Sequence, residues 1–442
     1  MNIRLSDHFS YKNLIKFTLP SVVMMVFTSI YGVVDGYFVS NFVGKTAFAS
    51  VNFIMPFLMI LGVLGFMIGS GGSALIAKMF GEGRGESANR LFSMFIYLSV
   101  VAGIVIAVLS IIFIRPIAAF LGATGAMLDD CVLYCRIILC ALPALILQYE
   151  FQSFFVTAER PQLGLWVTVA AGVTNMLLDA LLVAVIPLGI AGAAMATATS
   201  QLVGGIVPFI YFSRPNKSFL RLGKPKFDMK ALFKACSNGS SEFLSNISMS
   251  VVGMLYNVQL IKYAGENGVA AYGVLMYVNF VFIAVFIGYS IGTAPIISYH
   301  FGAKNHNELK NLLKKSLVII AVVSVAMICL SEALARPLSH IFVGYNGELF
   351  DMTLRGFLIF SFSFLFAGMP IFGSSFFTAL NNGLVSALIS FLRTIVFQIA
   401  AVLIFPIFWE LDGIWISVVA AEVVAAVVTV IFIFANRKKY NY

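Results

Sequence analysis

Apolar stretches alternate with short polar breaks along the whole chain. A helix that crosses the hydrocarbon core of a bilayer needs about 20 apolar residues, and twelve stretches reach or approach that length. Some exceed about 25 residues, so those helices are expected to tilt or to project from the bilayer. We therefore predict an all-α polytopic membrane protein with twelve transmembrane helices. The apolar stretches are residues 14–40, 47–79, 91–114, 130–157, 163–186, 190–212, 231–263, 269–299, 312–334, 351–380, 384–408 and 412–436.

The composition agrees with this pattern and excludes soluble classes of protein. Of the 442 residues, 60% are hydrophobic and 11% are charged, whereas soluble domains have about 45–50% and about 25%. No water-soluble fold can bury so much apolar surface. The sequence contains no metalloprotease motif, nucleophile elbow or phosphate-binding loop. We therefore expect neither an enzyme nor a nucleic-acid-binding protein, and we expect no cofactor.

Basic residues are distributed unevenly between the two sides of the predicted membrane protein. Twenty-one of the 28 Lys and Arg residues lie at the termini and in or beside the loops on one side, which is called the basic end below. The positive-inside rule places this side in the cytoplasm. We predict a multi-pass protein of the cell membrane with both termini cytoplasmic, which requires an even number of spans.

The two halves of the chain resemble each other at a shift of 221 residues. With six spans in each half, both halves insert in the same orientation, and their pseudo-two-fold axis is parallel to the membrane normal. We predict an N-terminal six-helix bundle at 1–213, a basic linker at 214–230 and a C-terminal six-helix bundle at 231–442. A cavity between the bundles is the expected substrate site. The matching positions include Gly44 with Gly265, Arg115-Pro116 with Arg336-Pro337, Thr157-Ala158 with Thr378-Ala379, and Gly192 with Gly413.

Four oxygen-bearing residues of the first half are predicted to lie at one depth. Asp179 lies nine residues before the turn at Leu188 and Thr197 nine residues after it, while Asp35 lies nine residues before Gly44. Asn175 precedes Asp179 by one helical turn and shares its face. Hard oxygen ligands suit Na⁺ or a proton. The alternative is a polar cluster that only holds helices together. The repeat-related positions are Tyr256, Val396, Ala400 and Val418.

The remaining intramembrane charges have less definite roles. Glu242 and Arg393 lie at similar depths, so they are expected to form either an ion pair or part of a substrate-binding second acidic site. Glu422 faces either the cavity or a helix interface. Pro20 removes a hydrogen bond from the first helix and permits a bend. Two further acids near the end of span four, Glu150 and Glu159, are expected to be solvated.

These residues resemble the multidrug and toxic compound extrusion (MATE) transporters over nearly the whole chain, and most closely the bacterial members. The resemblance lies in Pro20 and Asp35 of span one, Asn175-x-x-x-Asp179 of span five, the Gly-Ala-Ala-x-Ala-Thr sequence that ends at Thr197, and Glu242 of span seven. It implies a V-shaped pair of bundles with a cation site at Asp35, Asn175, Asp179 and Thr197. Members that use an acid like Glu242 also carry one in span ten, which residues 352–380 lack.

We therefore predict a secondary active multidrug efflux transporter. It would export organic, often cationic, compounds in exchange for Na⁺ or H⁺ by alternating access, as a monomer in the lipid bilayer. The alternative with the same architecture is a flippase for a lipid-linked precursor, which would require several arginines in the cavity; Arg136, Arg355 and Arg393 are the candidates. A channel or scaffold would not require an acidic cluster confined to one half.

Overall fold

The computed structural model describes residues 3–344 and 346–442, and it is helical throughout these ranges apart from short connections. The N-terminal helices are α1 (Tyr11–Phe38, extended by a π-helical turn Val39–Val43), α2 (Lys45–Gly81), α3 (Gly85–Leu121), α4 (Gly125–Cys140), α5 (Leu142–Thr157), α6 (Pro161–Asp179, extended by the π-helical Ala180–Val185) and α7 (Gly189–Ser213). The C-terminal helices are α8 (Met229–Asn238), α9 (Ser240–Gly302), α10 (His306–Val343), α11 (Gly347–Phe360), α12 (Ser363–Ala379), α13 (Gly383–Phe391, extended by the π-helical Leu392–Phe397) and α14 (Gln398–Tyr440).

Most of these helices are long and apolar enough to cross a bilayer. Eight in the described residues meet that condition, or ten when the bent pairs α4–α5 (59°) and α11–α12 (49°) count as one span each. The all-α polytopic fold is therefore confirmed. Twelve spans remain a prediction, reached only if α9 and the segment Gly383–Tyr440 are counted as two spans each.

Backbone breaks divide both of these long segments. A straight helix of 63 residues, the length of α9, would measure about 95 Å, roughly three times the hydrocarbon thickness. The helix is interrupted at Gly265, where φ is 60°. The last segment is interrupted at Trp409 and Glu410. Because a longer helix would leave the bilayer, these breaks are where the chain can reverse.

Positive-φ residues recur at the same shift as the sequence repeat. Three pairs of such residues are each separated by 221 positions, and each pair marks the same kind of connection in the two halves. This agreement favours the division into bundles at 1–213 and 231–442, which stays a prediction. The pairs are Gly44 and Gly265, Gly83 and Lys304, and Gly189 and Glu410.

The two halves contact each other closely at the basic end. A Cβ atom added to Gly81 would lie 2.0 Å from the carbonyl oxygen of Tyr299, and one added to Gly302 would lie 2.1 Å from that of Lys78. Both pairs of equivalent positions are 221 residues apart. In each half, the equivalent glycine therefore packs against the equivalent carbonyl group of the other half, as at a two-fold interface.

Further glycines extend this contact along the helices. Gly71 of α2 meets the Ala235 carbonyl of α8, where an added Cβ would lie 2.0 Å away. Gly292 of α9 meets Thr18 of α1, at 2.9 Å from an added Cβ to the Thr18 Cβ. Small residues let helix backbones approach closely in membranes, where packing replaces the hydrophobic effect as the driving force.

The opposite end of this interface is less filled. A cavity of about 840 Å³ lies between α2, α3 and α9, and its walls are almost entirely apolar. Pro56, Phe120 and Met254 represent the three helices in its lining. The structure thus has its halves joined at the basic end and separated by a cavity nearer the other end.

We predict that alanine at Gly81 or Gly302 destabilises the protein, because the neighbouring atoms are backbone and cannot rotate away. Overpacking of this kind costs about 1–3 kcal/mol. The melting temperature of the purified protein in detergent should fall for both variants. Gly253→Ala is the matched control, because nothing lies within 4 Å of its added Cβ and alanine favours a helix. Equal melting temperatures for all three variants would contradict the close contact.

Candidate functional site

The structure brings together the four residues of the predicted acidic cluster. Asp35 lies near the end of α1, Asn175 and Asp179 lie in the last turns of α6, and Thr197 lies on α7. Thr197 Oγ1 donates to Asp35 Oδ1 at 3.4 Å, and Asn175 Nδ2 donates to Thr197 Oγ1 at 3.5 Å. The Asp179 carboxyl group is adjacent to that of Asp35. Three helices thus contribute to one polar site.

The cluster is buried and lacks a basic partner. Asp35 is 9% exposed and Asp179 is fully buried. Both carboxylate oxygens of Asp179 and the amide oxygen of Asn175 are buried without a hydrogen-bond partner. Among the described residues, no Lys, Arg or His lies within ion-pair distance of either carboxyl group. A buried carboxylate without a partner is costly, so these oxygens are available to a cation or a proton.

Local helix geometry follows directly after each acid. The π-helical turn Val39–Val43 begins four residues after Asp35, and Ala180–Val185 begins immediately after Asp179. A π-helical turn widens the helix and leaves some carbonyl groups without their usual partners, and such turns are common at functional sites. The two acids therefore lie where their helices depart from regular α geometry.

The donor atoms fit a hard cation or a proton. Carboxylate, amide and hydroxyl oxygens are the ligands of alkali and alkaline-earth cations, whereas softer metals prefer His and Cys. Residues 3–344 and 346–442 contain no group of three or more His, Cys, Asp and Glu side chains placed to hold a metal ion. The donor chemistry of the site is therefore compatible with a proton or Na⁺ rather than with a softer metal.

Two tyrosines also lie at the site, and the sequence analysis did not predict either of them as a site residue. Tyr134 of α4 is fully buried beside Asp35, Asp179 and Thr197. Tyr31, one turn before Asp35 on α1, also lies near that carboxyl group. Counting residues from the helix ends could have identified Tyr134. This residue lies nine positions after Gly125 at the start of α4, just as Thr197 lies nine positions after Leu188.

The equivalent place in the second half has different chemistry. Tyr256 donates its hydroxyl proton to Gln398 Oε1 at 2.7 Å and lies 2.8 Å from Ser417 Oγ. Its ring stacks on Tyr272 with centroids 5.4 Å apart. The Tyr256 hydroxyl is neutral and has partners, so it fills the site without needing an ion. The two bundles share a backbone plan but differ in charge at this position.

The charged residues of the second half do not pair as the depth comparison predicted. Arg393 Nη2 lies 2.9 Å from Glu422 Oε1, and its Nε donates to both Glu422 oxygens. The Glu242 side chain forms no ion pair or hydrogen bond within the described residues. The predicted ion pair between Glu242 and Arg393 is therefore wrong. The reason is the break at Trp409 and Glu410, which lets the part of α14 that carries Glu422 return beside the segment that carries Arg393.

Glu150 is a second correction, since the sequence predicts it to be solvated. It is fully buried. Ser99 Oγ donates to Glu150 Oε1, while Glu150 Oε2 has no partner. The bend between α4 and α5 directs α5 into the bundle, and Gly69 lets α2 approach within 3.0 Å of the Glu150 Cα, measured from an added Cβ. The position of Glu150 near the predicted end of span four did not indicate that its side chain is buried.

Glu159 and Pro20 lie at the basic end, away from the acidic cluster. Glu159 is half-buried and accepts a hydrogen bond from the Leu5 backbone amide at 2.5 Å, so it is less solvated than predicted. Pro20 is inside the continuous helix α1 and lines a cavity at that end.

We predict that Glu422→Gln lowers the free energy of unfolding by about 3 kcal/mol, because it leaves the largely buried charge of Arg393 without its partner. The matched control is Asp412→Asn, which breaks the Arg355–Asp412 pair. The Arg355 side chain there is 70% exposed, against 17% for Arg393, so the control should cost at most about 1 kcal/mol. Unfolding by SDS titration in mixed micelles measures both. Equal losses of unfolding free energy in the two variants would contradict the prediction that the more buried ion pair contributes more to stability.

Comparison with known proteins agrees with the fold. The family model MatE matches residues 20–181 and again 243–404. The multidrug export protein MepA of Staphylococcus haemolyticus is 27% identical over 369 residues, covering 81% of this chain and 80% of that protein. MepA of Staphylococcus aureus strain MRSA252 is 24% identical over 439 residues, covering 97% and 94%.

Solved structures show the same fold. A multidrug resistance MATE family transporter in an outward-facing conformation superposes with a TM-score of 0.93 at 21% identity, covering 98% of this chain and 97% of that one. A MATE structure in complex with MaL6 gives 0.93 at 20% identity, covering 98% of both. Because the two matched stretches span well over half of the sequence, the chain belongs to the MatE family of multidrug export transporters.

Proposed function

We propose that this protein is a secondary active efflux transporter that exports organic, often cationic, compounds in exchange for Na⁺ or H⁺ by alternating access. The observation that carries the proposal is the buried pair Asp35 and Asp179, which has unpartnered oxygens and no basic neighbour in the described structure. Relatives named as multidrug export proteins support the substrate class.

The acidic pair is proposed to respond to ion binding through like-charge repulsion. Two adjacent carboxylates repel each other, and a bound proton or Na⁺ removes part of that repulsion. Asn175 and Thr197 supply further oxygens for Na⁺, while Thr197 can donate a hydrogen bond to a carboxylate. Because the residues belong to α1, α6 and α7, a change of charge alters the packing among these three helices.

Alternating access requires the contacts at the basic end to separate. The glycine contacts between Gly81 and Tyr299 and between Gly302 and Lys78 hold the halves together there. Helix α1 links them to the ion site, since it carries both Asp35 and Thr18, which meets Gly292. We propose that both termini are cytoplasmic, so the described conformation is closed toward the cytoplasm.

The ion gradient supplies enough free energy for useful export. One charge moved through 100 mV releases about 2.3 kcal/mol, and each tenfold gradient of substrate requires about 1.4 kcal/mol. One coupled charge therefore supports somewhat more than a tenfold gradient. Glu242 of α9 has no side-chain ion pair or hydrogen bond within the described residues, and it is proposed to attract an organic cation.

The flippase alternative receives less support from the charges. A pyrophosphate-bearing lipid would need several unpaired arginines in the cavity. Two of the three candidates are already bound to carboxylates, Arg393 to Glu422 and Arg355 to Asp412. Their charge is therefore neutralised before any anionic substrate binds. A transporter of cations is the better match.

We predict that Asp35→Asn abolishes efflux of ethidium from cells that lack other pumps, because the variant cannot bind and release the ion through that carboxylate. Cells expressing the unmodified protein should retain less dye than cells without it. Asp351→Asn is the matched control, since Asp351 is exposed at the start of α11 and the variant should transport normally. Equal dye retention with and without the unmodified protein would contradict the multidrug function.

A further inference from the structure

A second large cavity lies at the basic end, outside the acidic cluster. Its volume is about 790 Å³, and it opens between α1, α6, α7 and the linker that follows α7. Four cationic side chains lie in its lining, together with an apolar wall. We call this cavity the basic groove. Its cations are Lys16, Arg160, Arg214 and Lys217.

The cations of the basic groove have no acidic partners. None of the four lies within ion-pair distance of a carboxylate in the part of the chain that the structure describes. Lys16, Arg214 and Lys217 are exposed. Arg160 donates to the Lys217 carbonyl oxygen at 3.2 Å, which fixes it beside the linker. The groove therefore presents a concentrated positive charge to its opening.

One carboxyl group, Glu159, also lines the groove within the described residues. Its Oε1 accepts the Leu5 backbone N–H at 2.5 Å. Burial raises the pKa of Glu159 to about 7, with Asp7 acting in the same direction and Arg4 and Arg160 opposing it. At neutral pH Glu159 therefore carries less than a full negative charge. It cannot neutralise four cations.

The wall of the groove is apolar and lies close to the helix ends. Trp166, Val207 and Ile210 are 66%, 46% and 43% exposed. Trp166 lies five residues after the start of α6, while Ile210 and Val207 lie three and six residues before the end of α7. At a rise of 1.5 Å per residue these positions are about 5–9 Å below the helix ends. A polar rim thus adjoins an apolar wall over one to two helical turns.

We propose that the basic groove binds one anionic phospholipid, with its headgroup phosphate among Lys16, Arg214 and Lys217 and an acyl chain along Trp166, Val207 and Ile210. The depth of the apolar wall matches the boundary between headgroups and acyl chains, where Trp is enriched. Basic pockets between helices at this boundary suit anionic headgroups. A soluble phosphate would leave the apolar wall uncovered, and an organic cation would be repelled. This proposal is independent of the efflux function.

Native mass spectrometry of the purified full-length protein tests the site with phosphatidylglycerol and phosphatidylcholine of identical acyl chains. We expect tighter binding of phosphatidylglycerol. The triple variant Lys16→Gln, Arg214→Gln, Lys217→Gln should weaken it roughly a hundredfold, corresponding to about 3 kcal/mol for three cations. The matched control is Lys304→Gln, Lys310→Gln, Lys314→Gln, which removes three exposed cations outside the groove and should change the affinity less than threefold.

Further arms separate a lipid from a soluble anion and from a folding defect. Trp166→Gln keeps every charge, and we expect it to weaken phosphatidylglycerol binding at least threefold. Glycerophosphoglycerol, the headgroup without acyl chains, should bind at least a hundredfold more weakly than the lipid. Equal binding of the two phospholipids, equal losses in both triple variants, or tight binding of the headgroup alone would overturn the proposal. The melting temperature of the groove triple variant should equal that of the control triple.

Discussion

The structure depends on how each charge within the bilayer is compensated. A charged group removed from water is costly unless an opposite charge or several hydrogen bonds replace its hydration. Arg393 and Glu422 satisfy this condition with each other. Asp35 and Asp179 do not, since hydroxyl and amide groups but no cation surround them in the described structure. We propose that an ion from solution is the remaining partner, which would make the first bundle sensitive to an ion gradient.

Helix α1 connects the acidic pair to the contact between the halves. Asp35 lies 17 residues beyond Thr18 on the same helix, a distance of about 25 Å. Thr18 packs against Gly292 of α9 so closely that no side chain would fit there. In the proposed mechanism, a shift of α1 caused by a change of charge at Asp35 would therefore act on the interface directly. The repeat gives both halves matching glycines for this contact, while only the first half carries the acidic pair.

Sequence alone predicted features that follow from one-dimensional spacing. Apolar length indicated a polytopic helical protein, and residue distances from the turns brought Asp35, Asp179 and Thr197 to one depth, as the structure has them. The 221-residue shift also recurs in the structure, where it separates three pairs of positive-φ residues. These quantities depend on rise per residue and on hydropathy, which neighbouring helices scarcely alter.

Features that depend on which helices are neighbours were not predictable in this way. Similar predicted depths in the membrane suggested that Arg393 pairs with Glu242. In the structure the neighbouring helix segment instead places Glu422 beside Arg393, and these two residues form the ion pair. Glu150 is buried because of the bend between α4 and α5 and the close approach of α2, and neither feature can be read from local hydropathy.

The central claim, that Asp35 and Asp179 couple an ion to transport, is tested most directly by reverse coupling in proteoliposomes. An imposed ethidium gradient should drive counterflow of ²²Na⁺ or of protons with the unmodified protein and none with Asp35→Asn, whereas dye movement without flux of either ion would contradict the claim.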